Sequence, residues 1–95
     1  MQRDLGELRS QIDEIDAQIV KLYEERIEVC RGVAEYKLAS GKKVFDRARE
    51  EEKISKVKEL THTDFTRQGI EELFEQIMSM SRKMQYQMLA ENGSI

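Results

Sequence analysis

Arg26 is a charged residue at a position where the sequence pattern favours a hydrophobic one. Apolar residues three and four apart follow one stripe of a helix before it: Leu5, Leu8, Ile12, Ile15, Ile19 and Leu22. The same spacing then continues to Arg26 and Val29. An arginine on a buried stripe is strongly destabilising unless an anion pairs with it, so Arg26 requires either an internal carboxylate or an anionic ligand.

Lys37 is a second cation on the same face of this predicted helix. It follows Arg26 by eleven residues, which corresponds to three turns and about 16 Å between the Cα atoms. Two long side chains at that spacing can converge on one small anion. The alternative is that Lys37 simply stabilises the negative end of the helix dipole.

Arg9 lies at the edge of the stripe, roughly 25 Å along the helix from Arg26. No small molecule can contact both arginines within one chain. An antiparallel helix from a second subunit could bring Arg9 to the other subunit's pocket. Otherwise Arg9 is an exposed arginine near Glu7 or Asp13.

A cluster of charges opens a second predicted helix. Asp46 is a suitable N-cap, Arg49 could bind an anion, and Glu50 could accept a hydrogen bond from a ligand hydroxyl. The alternative is a cap followed by an ordinary solvated face.

Two neutral polar residues share one face of a third predicted helix. Ser81 and Gln85 are four residues apart, and Ser81 falls within an apolar stripe that includes Phe74 and Ile77. A buried serine can bond to the carbonyl one turn earlier. Gln85 is harder to bury, because its amide needs partners for two donors and an acceptor.

These side chains are positioned by three helices, so the predicted class is all-α. We expect the helices at about Asp4 to Leu38, Arg47 to Leu60 with Leu60 facing inward, and from a cap at Thr63 or Asp64 to Glu91, with a stop at Asn92 and Gly93. Residues 39–44 should form a loop. The first helix is too long to be covered within a 95-residue globule, so an intertwined homodimer is the simplest solution.

Composition narrows the function classes. The 95 residues fit one domain, either a complete protein or one domain of a longer fusion, and the net charge of −3 disfavours nucleic acid. No apolar run is long enough to cross a membrane, and no signal-peptide core is present. The only cysteine, Cys30, fits the reducing cytoplasm and is expected to be buried and unreactive, and with one histidine a metal site is not expected.

Taken together, these residues resemble the all-α chorismate mutases, a family of intertwined helical dimers. The resemblance covers nearly the whole chain, in order and with family-like spacing. Its residues are Arg9, Ile12, Asp13, Ile15, Asp16, Glu25, Arg26, Tyr36, Lys37, Gly41, Val44, Asp46, Arg49, Glu50, Ser81 and Gln85.

The resemblance implies the Claisen rearrangement of chorismate to prephenate, a step of phenylalanine and tyrosine biosynthesis that needs no cofactor and no metal. Arg26 and the partner subunit's Arg9 would bind the two carboxylates. The resemblance further implies that Arg49 and Ser81 assist in this binding. Lys37 and Gln85 would donate hydrogen bonds to the ether oxygen. Glu50 and Asp46 would bind the ring hydroxyl.

The sequence departs from the family at Lys43, where relatives commonly carry a proline.

Two functions other than the mutase remain open. One is an isochorismate-pyruvate lyase of the same fold, a group that retains the equivalents of Arg26, Lys37 and Gln85 but lacks the acidic pair, so that Asp46 and Glu50 favour the mutase. The other is a non-catalytic regulatory domain of a shikimate-pathway enzyme.

Overall fold

A computed structural model describes residues 4–91, and within that range the regular structure consists of three α-helices and no strands. Helix α1 is Leu5–Ser40, α2 is Arg47–Glu59 and α3 is Asp64–Glu91. This confirms the predicted all-α class and the order long, medium, long. The predicted stop at Asn92 and Gly93 lies outside the described residues.

Helix α1 ends two residues later than predicted. Ala39 and Ser40, expected in the loop, are helical, and the Ser40 hydroxyl donates to the Tyr36 carbonyl at 2.9 Å. Gly41 then adopts the left-handed conformation with φ of 73°, and its N–H bonds to the Lys37 carbonyl. Helix α1 therefore ends at the residue best able to take a positive φ, which is the glycine.

Side chains cap the other two helices at their N-termini. The Asp46 carboxylate accepts a hydrogen bond from the Arg49 N–H at 3.0 Å, as predicted. Of the two candidates for α3, Thr63 is the cap, because its hydroxyl oxygen accepts from the Thr66 N–H at 3.1 Å. Leu60, predicted to face inward, follows the last residue of α2 and is 75% exposed, so that prediction is wrong for the single chain.

Helix α3 packs against both of the other helices. It runs antiparallel to α2, since Lys58 Nζ donates to Glu71 Oε1 at 3.2 Å and Glu50 pairs with Arg82. It runs in the same direction as α1, since the Tyr23 hydroxyl donates to Met80 Sδ and Arg26, further along α1, donates to Ser81, further along α3. The second half of α1, the start of α2 and the second half of α3 therefore come together.

The first half of α1 is left uncovered by the rest of residues 4–91. Its stripe residues other than the half-buried Leu8 are more than half exposed, among them Ile12 at 54% and Leu22 at 62%. The radius of gyration is 17.2 Å, whereas a compact domain of this length has about 12 Å. None of the helices described for residues 4–91 is both long and apolar enough to cross a membrane.

Candidate active site

A cleft of about 140 Å³ opens where the three helices come together. Helix α1, the loop after it, the first turns of α2 and the second half of α3 each contribute side chains. The cleft is lined by Arg26, Cys30, Lys37, Val44, Asp46, Arg49, Glu50, Lys53, Met78, Ser81, Arg82 and Gln85.

Every residue singled out from the sequence for ligand chemistry lines this cleft except one. Arg26 and Lys37 reach it from α1, and Ser81 and Gln85 reach it from α3. Arg9 is exposed on the first half of α1 and does not line the cleft of its own chain. Arg9 can therefore contact a bound ligand only in the cleft of another subunit.

The guanidinium of Arg26 is half-buried and contacts neutral side chains. Its Nη1 donates to Ser81 Oγ at 2.9 Å and lies 3.6 Å from Cys30 Sγ, and the group sits 6.0 Å from the centre of the Phe74 ring. Among residues 4–91, no carboxylate lies within ion-pair distance of it. Of the two partners that the sequence allowed, the internal carboxylate is absent from the described chain.

Ser81 holds Arg26 toward the cleft. Its hydroxyl donates to the Ile77 carbonyl one turn earlier at 3.1 Å, the bond expected of a buried helical serine. That commits its only hydrogen and leaves its oxygen lone pairs to accept from Arg26. The serine is thereby satisfied without a carboxylate, and it orients Arg26 without forming an ion pair with it.

Lys37 connects α1 to the loop that follows it. Its Nζ donates to the Val44 carbonyl at 2.8 Å, and Val44 itself is buried. An ammonium group has three hydrogens, so two remain for a ligand. The contact fixes the ammonium at the cleft wall before any ligand arrives.

The positive end of α2 faces the cleft. Asp46 caps it, its first turn carries Arg49 and Glu50, and the N–H groups there favour an anion. Arg49 is partly neutralised by Glu52, 3.7 Å away. The pKa of Glu52 is lowered, first by its hydrogen bond from Lys56 and further by the charges of Lys56 and Arg49.

Three cleft residues were missed or misjudged from the sequence. Arg82 forms an ion pair with Glu50 and lies over the Phe45 ring, 5.1 Å from its centre. Lys53 lines the same wall. Cys30 was expected to be buried and unreactive but is half-buried and lines the cleft. The spacing of Cys30 from Arg26, one helical turn, was the signal available for it.

Gln85 carries a buried oxygen without a partner. The residue is 7% exposed, and no hydrogen-bond donor among residues 4–91 reaches its Oε1. Leaving such an atom unpaired costs about 1–3 kcal/mol, so buried polar atoms in folded proteins nearly always find partners. Rotating the amide by 180° exchanges its oxygen and nitrogen, so Gln85 can offer a ligand either an acceptor or a donor.

The charges of the cleft are opposite in sign to those of the whole chain. Five of its lining side chains are cationic and two are anionic, whereas the chain carries a net charge of −3. This excess suits a small ligand with two negative charges. Within the described part of the chain, no group of three or more His, Cys, Asp or Glu side chains is arranged to hold a metal ion.

Comparison with known proteins identifies the family. No curated protein matches the chain. The family model described as chorismate mutase type II matches residues 8–86. This span contains Arg9 and every residue that lines the cleft. An all-α fold and a cationic cleft accompany that match, and the chain belongs to the chorismate mutase type II family.

Proposed function

We propose that the cleft binds chorismate and catalyses its Claisen rearrangement to prephenate. The observation that carries this proposal is a cationic cleft in an acidic chain, in which Arg26 has no carboxylate partner among the described residues. Chorismate supplies two carboxylates for the cations and an ether oxygen for neutral or charged donors. Family membership supports the same reaction.

The cations bind the two carboxylates of the substrate. Arg26, already oriented by Ser81, takes one of them, and a guanidinium can do so with two parallel hydrogen bonds. The partner subunit's Arg9 takes the other. Arg49 adds positive charge at the start of α2, where the helix dipole acts in the same direction.

Catalysis comes from donors aimed at the ether oxygen. Lys37 and Gln85 reach the cleft from α1 and α3, and both can donate a hydrogen bond to one atom between them. Negative charge grows on this oxygen as its bond to carbon breaks, so the donors stabilise the transition state more than the substrate. Glu50 and Asp46 accept hydrogen bonds from the ring hydroxyl and fix the orientation of the ring.

The reaction itself requires no group transfer to the protein. One C–O bond breaks and one C–C bond forms within a single molecule, and no proton is gained or lost. The protein must hold chorismate in the compact conformer that brings the reacting carbons together, an effect of proximity and orientation. Prephenate then leaves toward phenylalanine and tyrosine, and we place the reaction in the cytoplasm, which the unpaired Cys30 supports.

We further propose that the active unit is an intertwined homodimer. The chain exposes 7809 Å², whereas a compact monomer of this size exposes about 5,700 Å². The chain therefore exposes about 2,100 Å² more than a compact monomer would. Twice this area, for the two chains of a dimer, lies in the range of roughly 2,000–5,000 Å² that obligate dimers bury. An antiparallel partner along the first half of α1 would cover the stripe and bring Arg9 to the cleft.

The direct test is an assay of chorismate consumption with product identification. We expect the absorbance of chorismate to fall at a catalytic rate and prephenate to appear as the product. Isochorismate is the matched second substrate, and release of pyruvate from it would identify a lyase. Asp46 and Glu50 in the cleft support the mutase over that lyase. Binding of chorismate without turnover would contradict the proposal and identify a regulatory domain.

A further inference from the structure

Arg82 is a cleft residue to which neither the family resemblance nor the proposed mechanism gives a role. It follows Ser81 on α3 and lines the same cleft. Its Nη1 bonds to Glu50 Oε1 on the first turn of α2, and the exposures of the two side chains are 29% and 22%. Its guanidinium also lies over the ring of Phe45 in the preceding loop.

The pair leaves Glu50 with free acceptor capacity. A carboxylate has two oxygens with about four lone pairs between them, and the bond to Arg82 uses one oxygen. In the part of the chain that the structure describes, Glu50 has no second cationic partner. Its other oxygen, Oε2, can therefore accept a hydrogen bond from a ligand while Arg82 holds the group in place.

The stacking on Phe45 limits the movement of Arg82 itself. An arginine with one bond to a carboxylate can swing about that bond, but the aromatic face 5.1 Å away favours one orientation of the guanidinium. Three segments thus fix one carboxylate: the loop at Phe45, α2 at Glu50 and α3 at Arg82. Preorganisation of this kind reduces the entropy lost when the ligand binds.

We propose that Arg82 is a positioning residue, which holds the Glu50 carboxylate so that Oε2 accepts a hydrogen bond from the ring hydroxyl of the substrate. The inference rests on the proposed function, because it specifies how Glu50 meets that hydroxyl. Arg82 acts through Glu50 and does not itself contact the reacting atoms.

A purely structural role predicts a different pattern, and the chain contains a matched control for it. Lys58 and Glu71 also form an ion pair between α2 and α3, at 3.2 Å and with exposures of 35% and 39%, but neither residue lines the cleft. If Arg82 only joins the two helices, loss of either ion pair should have the same kind of effect.

The experiment measures kcat and KM for the variants Arg82→Met, Glu50→Gln, their combination, Arg82→Lys and Lys58→Met, with the wild type beside them. We expect Arg82→Met and Glu50→Gln each to lower kcat/KM for chorismate by about tenfold, the loss of one charge-assisted hydrogen bond. The combined variant should be no worse than either single one, because both changes remove the same contact. Arg82→Lys should recover part of the loss, and Lys58→Met should leave kcat/KM unchanged.

A chorismate analogue with hydrogen in place of the ring hydroxyl gives the decisive comparison. The effect of Arg82→Met should disappear with this analogue, since the contact that Arg82 supports is no longer made. Multiplicative losses in the combined variant, an equal loss with the analogue, or an equal loss in Lys58→Met would overturn the inference alone. Absence of chorismate turnover in the wild type would overturn the proposed function and this inference with it.

Discussion

Arg26 shows how much one charged residue on an apolar stripe can indicate about a binding site. Its spacing from the apolar residues before it placed it on a buried stripe, and it is indeed half-buried, with a serine, a cysteine and an aromatic ring around it. A cation among neutral neighbours keeps its charge available to a ligand. The neutral setting also strengthens any ion pair formed there, because the effective dielectric constant is lower than in water.

Lys37 provides the prediction at the residue scale. Replacement by methionine keeps the length of the side chain and removes the donor, so we expect Lys37→Met to lower kcat by about 10²–10³-fold while KM changes much less. Steady-state kinetics on the folded variant measures both. Lys42→Met is the matched control, because Lys42 lies over the Tyr36 ring and outside this cleft. An unchanged kcat in Lys37→Met would remove the lysine from its role.

Part of the candidate site was predictable because a residue type conflicted with its surroundings, and part, such as Lys37 and Glu50, from helical spacing and the family resemblance. Arg26 and Gln85 interrupt apolar stripes, which marks them in the sequence. Arg82 and Lys53 interrupt nothing, because each follows other polar residues on its helix. Whether they face the cleft depends on the register between α2 and α3, and no local pattern encodes that register.

The helices themselves were predictable to within about two residues at each end. Gly41, Asp46 and Thr63 are residue types whose preferred conformation or side-chain bond belongs to a helix terminus, and each occupies one. The error at Ala39 and Ser40 arose because serine favours helix ends in general. Here its hydroxyl bonds back to Tyr36, and the helix continues to the glycine.

Gly41 gives a prediction for the element that ends α1. No atom lies within 4 Å of the place that a Cβ would occupy, so Gly41→Ala meets no clash and the cost is the left-handed backbone alone. We expect the free energy of unfolding to fall by about 1 kcal/mol, measured by urea denaturation.

Gly69→Ala is the opposite case on α3. This glycine lies inside a helix with equal space around it, so alanine should raise the free energy of unfolding by up to about 1 kcal/mol. The same sign in both variants would show that the backbone conformation of Gly41 does not determine its effect.

The whole molecule was the hardest level to predict. All three helices offer apolar stripes, and the stripes alone do not say that α3 is the helix that packs against both others. The length of α1 did predict a surface without cover inside the chain, and the exposure of Ile12, Ile15 and Ile19 confirms that part. In the proposed dimer, the first half of α1 from the second subunit covers this surface.

Mixing two inactive variants tests the proposed donation of Arg9. Arg9→Ala and Arg26→Ala should each be nearly inactive alone. Unfolded together and refolded in equal amounts, they should recover about a quarter of wild-type activity, since half of the dimers are mixed and each has one intact cleft. Specific activity after mixing is the measurement.

The control is one chain that carries both changes, refolded with wild type. Every mixed dimer then has one defect in each cleft, so activity should fall to about a quarter of the wild-type value and not to a half. If the first mixture recovers no activity and this one keeps half of the wild-type activity, then Arg9 acts on the cleft of its own subunit.

The uncovered stripe of α1 has a consequence for the order of the folding reaction. If two chains must meet before either can bury Leu5 to Leu22, then collision is part of folding, and refolding becomes a second-order process. We expect the observed refolding rate to rise in proportion to chain concentration in stopped-flow experiments, and a concentration-independent rate would contradict it. The yield of active protein would then depend on how many chains are synthesised at the same time. Slow synthesis would leave single chains with an exposed apolar surface that chaperones can bind.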